Sequence, residues 1–129
     1  MKKFIINNVE VEFKAIENEI FTSSLQIAEV FGKKHTEVMA DIDDMSVDFE
    51  IRDDSHKVDE LYIQSVKWGK YTDEKGREED MCLLSKDGFM FLFMRFDVTY
   101  AIEQEWGLRY VKAFNETKDE LTRVIAQQN

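Results

Sequence analysis

Six consecutive apolar residues, Phe89-Met90-Phe91-Leu92-Phe93-Met94, follow Ser85-Lys86-Asp87-Gly88. Ser85 has the side chain of a helix N-cap, and a helix running on from it over 85–96 is apolar on every side. A helix of that kind has to be enclosed, so the rest of the chain must wrap around it. The run is far shorter than the roughly 20 residues that cross a bilayer. The enclosure comes from 129 residues, enough for one domain with its own core and too few for two.

One partner for that helix is legible at the C-terminal end. Ile102, Trp106, Tyr110, Phe114, Leu121 and Ile125 recur at four-residue steps with one gap of seven, which predicts a single helix over 98–127. Gly107 sits inside it at a cost of about 1 kcal/mol relative to Ala. About thirty residues at 1.5 Å each span about 45 Å, longer than the body of so small a domain. The end from Leu121 to Ile125 is therefore expected to project or to pair with another chain, and a homodimer through this helix is the preferred expectation.

Before the apolar helix, residues 1–22 read as strands. Phe4-Ile5-Ile6, then Asn7-Asn8, then Val9 to Phe13 in alternation with Glu10 and Glu12 predicts a hairpin, and Glu19–Thr22 a short further strand. Residues 23–48 read as two helices. Ser23 is an N-cap with Gln26 three residues on, Leu25, Ala28 and Phe31 share a face, and Gly32 stands where a helix ends. Val38, Ile42 and Met45 form a second stripe. Two short helices joined at a glycine make a helix-turn-helix candidate. Residues 50–60 are charged and aperiodic and read as a loop, with His56 an exposed titrating side chain. Leu61–Tyr71 alternates loosely, Thr72–Arg77 makes a turn and Met81–Leu84 returns, so 61–84 reads as a wing. The fold class is α+β: a winged helix-turn-helix-like core with an N-terminal β-hairpin, a β-wing and a long C-terminal helix.

The formal net charge is −10, unlike most DNA-binding domains, and it is concentrated. Residues 37–65 hold ten carboxylates against Arg52 and Lys57, while residues 1–36 balance to zero. The segment is either a solvated surface or one made for a basic partner. Cys82 is the lone cysteine and reads as a small core residue, in keeping with a reducing compartment. His35, His56 and Cys82 lack metal-ligand spacing, and no phosphate loop, dinucleotide-binding glycine pattern or nucleophile elbow occurs. An enzyme, a metal and a cofactor are not expected. Lys2-Lys3 leads at once into strand-like residues, so a soluble cytoplasmic protein is expected.

Four blocks carry a family likeness: Gly32-Lys33-Lys34-His35 with Val38-Met39 and Asp41-Ile42; Tyr71 to Arg77; Leu83 to Phe89; and Tyr110 to Glu116. Together, over roughly 22–120, they resemble the phage regulatory proteins of the Rha family. The resemblance implies a winged helix-turn-helix regulator of temperate phages, transcriptional or antirepressor, with double-stranded DNA as partner. On that reading Lys33 and Lys34 contact phosphate, Thr36 and Ala40 face bases, and Lys70, Lys75 and Arg77 lie along the backbone from the wing. Where the family often has basic residues in the second helix, this chain has Ala40 and Asp43. The glycine and Lys-Lys pair often found after Met94 are replaced by Arg95 to Tyr100. The alternative keeps the fold as an acidic protein-binding inhibitor, in its strong form a DNA mimic. It would use Glu37, Asp43, Asp44, Asp48 and the 41–60 segment against a basic host or phage protein. His35 reads either as a packed, hydrogen-bonded turn histidine or as a base reader.

Overall fold

The computed structural model describes residues 2–48, 50–51, 54–58 and 60–128, with backbone alone for 48, 50–51 and 54–58. Two hairpins open the chain. β1 (Phe4–Ile6) turns through Asn7 and Asn8, at φ 50° and 61°, into β2 (Val9–Val11), with Phe4 opposite Val11. Two successive left-handed residues are what a two-residue hairpin turn of matching twist requires, and Asn tolerates them well. β3 (Lys14–Ile16) and β4 (Glu19–Ser23) repeat the device through Glu17 and Asn18, at φ 52° and 65°.

β4 runs into α1 (Ser24–Val30). Ser23 caps it, its hydroxyl accepting from the Gln26 amide at 3.1 Å. Gln26 also exchanges hydrogen bonds with the backbone of Glu12, tying the helix start to the first hairpin. At the other end Gly32 takes φ 63°, and the Lys33 amide donates to the Ala28 carbonyl at 2.9 Å while the Gly32 amide donates to Glu29. This paired closure needs a left-handed residue, which is glycine's role there. α2 (His35–Asp48) follows, with Val38, Ile42 and Met45 buried as one stripe.

The next stretch departs from expectation. Residues read as a loop contain β5 (Glu50–Ile51) and β6 (Asp54–Val58), an antiparallel pair. Backbone hydrogen bonds make that pair, and they need no alternation of side chains. The side chains of Asp48 and His56 lie outside the described residues. The first residues assigned to the wing are instead helical, α3 (Glu60–Ser65). Tyr62, Ser65 and Val66 are buried at helical steps of three and four, a period that the β-forming composition hides.

β7 (Val66–Thr72) and β8 (Glu78–Leu84) then form the long hairpin, and β8 joins β4 to give a sheet in the order β3-β4-β8-β7. Ser85 caps α4 (Lys86–Arg95) by accepting from the Gly88 amide at 3.2 Å, and α5 (Ala101–Gln128) closes the chain. At 28 residues α5 is about 42 Å long.

The core is aromatic. Phe89 of α4 stacks on Tyr110 of α5 with ring centroids 4.4 Å apart, and Phe31, Phe93 and Phe114 surround the pair. Tyr110 buries its hydroxyl against Thr22 of β4, which hydrogen-bonds it. Gly107 lies beneath the Phe93 ring, where a Cβ would collide with three of its atoms. The glycine that weakens α5 is thus the one that lets α4 approach it. α4 is not enclosed on every side, however: Met90 is 43% and Met94 78% exposed. Phe89, Leu92 and Phe96 fill the inner face, and no described element covers the opposite one. The molecule is α+β, with N-terminal antiparallel strands, a curled sheet and a long C-terminal helix. The order α1, turn, α2 and hairpin fits a winged helix-turn-helix-like arrangement.

Candidate nucleic-acid interface

α2 and the β7–β8 hairpin meet through a small polar cluster. Ser24, fully buried, accepts from the Cys82 amide at 3.0 Å, and its oxygen lies 2.9 Å from His35 Nε2. The His35 ring stands perpendicular to the Tyr71 ring at 5.6 Å. Of the two sequence readings of His35, the structure selects the packed turn histidine. Burial lowers its pKa below the ordinary 6.5, so the neutral ring is favoured. Burial also pushes the Cys82 thiol up to about 12, as suits an inert core cysteine.

Because Tyr71 lies two residues from the hairpin turn, this contact puts the N-terminal end of α2 beside the tip. Lys34, Thr36 and Ala40 are exposed there. The cations are unequally available. Lys33 holds its ammonium 4.7 Å from the Phe96 ring centroid. Lys70 pairs across the strands with Asp80, its register partner, and that contact raises the lysine pKa. Lys67 lies 5.4 Å from the Phe21 ring centroid. At the tip, Asp73 accepts from the Arg77 amide at 2.8 Å and the Lys75 amide at 2.9 Å, and Arg77 Nε returns at 3.1 Å. The Arg77 amide, more than its guanidinium, holds the Asp73 carboxyl below the usual carboxylate value. Among the described residues, the ammonium groups of Lys34 and Lys75 make no ion pair within the chain.

The acids of α2 do not form the uniform face that the helical wheel implies. Asp44 turns to α4, where Arg95 pairs with it. Asp43 is exposed and, unlike Asp44, makes no ion pair among the described residues, and its charge adds to the larger effect of burial in raising the Tyr62 and Cys82 pKa values. At 100° per residue the line between them runs through Thr36, Ala40 and Val47, small or uncharged and all exposed. Glu37 is exposed beside that line. These partners lie 51 residues away for Asp44, so helical spacing within α2 carries no sign of them.

No three metal-ligating side chains converge among the described residues, and no described helix is long and apolar enough to cross a membrane. A surface cavity of about 570 Å³ lies between Lys2 and the outer end of α5 and contains none of the residues above.

An uncharacterised protein of Haemophilus influenzae is 28% identical over 117 residues, covering 90% of this chain and 62% of that protein. The chain thus spans less than two thirds of this relative's length. No solved structure matches the chain. A family model described as phage regulatory protein Rha matches residues 22–119, from the end of β4 through most of α5, and the chain belongs to that family of phage-type regulators.

Proposed function

We propose that this phage-type regulator binds double-stranded DNA, as a transcriptional or antirepressor protein, by docking the N-terminal end of α2 together with the hairpin tip. The observation that carries this reading is the His35–Tyr71 contact, which sets Lys34, Thr36 and Ala40 at the same end of the molecule as Lys75 and Arg77. An α2 approached by its first two turns offers DNA the partial positive charge of a helix N-terminus and keeps Asp43 and Asp44 to the flanks. Lys34 and Lys75 are the leading phosphate contacts, Thr36 and Ala40 face base edges, and Lys33, Lys70 and Arg77 are secondary because each already has an internal partner. A homodimer through α5, whose Val124 is exposed beyond Leu121, would present two such ends, in the cytoplasm of a host bacterium.

A second reading has an observation of its own. Lys70 and Arg77 are paired within the hairpin, which lowers the free positive charge at its tip; a basic protein would then be met by the acidic positions Glu37, Asp43, Asp48 and Asp44, the last still largely exposed beside Arg95. Fluorescence anisotropy with a random duplex separates the two. DNA docking requires binding that weakens between about 50 mM and about 200 mM salt, with a slope that falls by about one per removed phosphate contact in Lys34→Glu and in Lys75→Glu. Absence of binding at low salt and micromolar protein sinks it. The inhibitor reading then predicts a captured basic partner that is lost when Asp43 and Asp44 are reversed to Lys.

A further inference from the structure

DNA docking as described needs α2 and the hairpin at a fixed spacing, and among the described residues one cluster joins the N-terminal end of α2 to both hairpin strands. An amide N–H can only donate, so the Ser24 oxygen accepts from Cys82. The serine then has one hydrogen, and the acceptor within reach is His35 Nε2. When the serine donates, Nε2 carries the lone pair and the ring hydrogen lies on Nδ1. The same ring stands perpendicular to that of Tyr71. One imidazole thereby touches the start of α1, and through Ser24 the β8 backbone, and Tyr71 near the tip end of β7.

We propose that His35 is a positioning residue, which as a neutral imidazole protonated on Nδ1 fixes the β7–β8 hairpin against α2 and on taking up a second proton releases it; its effect on DNA rests on the docking proposed above. A proton on Nε2 sets two donors, that ring N–H and the Cys82 amide, against the Ser24 oxygen. The serine hydrogen is then left without its acceptor at a position of zero exposure. Helix geometry adds to the effect, since His35 is the first residue of α2 and a cation there faces the positive end of the helix dipole. The charged neighbours do not reverse this. Lys33 and Lys34 precede the ring, and Glu37 is the acid in the first turn of α2. α1 presents the Ser24 hydroxyl. β7 presents Tyr71, with Lys70 already paired to Asp80. β8 presents the Cys82 amide through Ser24, with Glu79 opposite Tyr71 in register. The folded state binds this proton less readily than the unfolded chain. The stabilisation from the neutral ring is therefore complete above 6.5 and declines as pH falls below it.

Ring-nitrogen shifts of the full-length 15N-labelled chain test this directly, with His35→Gln or, if that variant does not fold, His56→Gln assigning the signals. The expected result is an Nδ1–H ring with a midpoint below 6.5. Across that midpoint the Cys82 amide should lose protection from exchange at least about tenfold more than the Phe114 amide. In folded His35→Gln the protection at Cys82 should not follow pH. An Nε2–H ring, a midpoint at or above 6.5, or equal losses at Cys82 and Phe114 overturns the positioning role. Duplex affinity measured on the same samples keeps the two ideas apart. If the ring and amide behave as stated while no DNA is bound at any pH, docking fails and the positioning role stands.

Discussion

Around Phe89 the molecule is closed by rings: Tyr110 at 4.4 Å, Phe93 at 5.8 Å and Phe114 at 6.0 Å, with a glycine in α5 making room. At the α2–hairpin junction the closure is a serine oxygen and a histidine ring set perpendicular to one tyrosine ring. The first region depends on apolar area and shape, which neither pH nor salt alters much near neutrality. The second depends on the direction of a few hydrogens, and small changes of ionisation redirect them. On the docking proposed above, that division lets the scaffold persist while the contact surface stays adjustable.

The division can be broken by measurement. Phe89→Ala should cost about 3–5 kcal/mol in denaturant unfolding, since the site is fully enclosed; a loss near that of a surface truncation would mean that the rings are not the main source of stability. Ser24→Ala should cost about 1–3 kcal/mol by leaving the Cys82 amide unsatisfied, and its largest loss of exchange protection should lie in β8 and not in α5. Gly107→Ala sets about 1 kcal/mol of helix propensity against overpacking of about 1–3 kcal/mol on the Phe93 ring, so net destabilisation is expected; a gain in stability would show that Phe93 moves aside freely. Lys70→Ala should leave the denaturant midpoint nearly unchanged, because its pair with Asp80 is solvent-exposed and screened. The smallest effect is local. The Asp73 carboxylate closes the hairpin tip above the ordinary value of 3.8 and stops doing so as pH falls through its lowered value, so the Lys75 and Arg77 amides should lose protection only in strong acid.

Much of the scaffold is legible in the residues because its causes are local. Asn7-Asn8 turns the first hairpin, Ser23 and Ser85 cap α1 and α4, Gly32 ends α1, and Val38, Ile42 and Met45 face inward. Three features are hidden for physical reasons. Glu17-Asn18 makes a second tight turn although Glu rarely takes positive φ. Leu61–Ser65 is helical because its buried positions follow the helical period while its composition favours strands. β5 and β6 pair through backbone alone. The family, too, is legible, in the four sequence blocks that lie within or against the matched region.

The junction between α2 and the hairpin was not. Sequence by itself determined that this chain has an α1–Gly32–α2 unit, a long hairpin, an aromatic core and an excess of acid beginning in α2, because periodicity, caps and charge are properties of neighbours along the chain. Only the tertiary structure decided which charges remain for a ligand. Strand register pairs Lys70 with Asp80, and helix packing brings Arg95 to Asp44 and Phe96 to Lys33. Packing also turned His35 inward onto Ser24, since a ring's direction is set by what surrounds it in space.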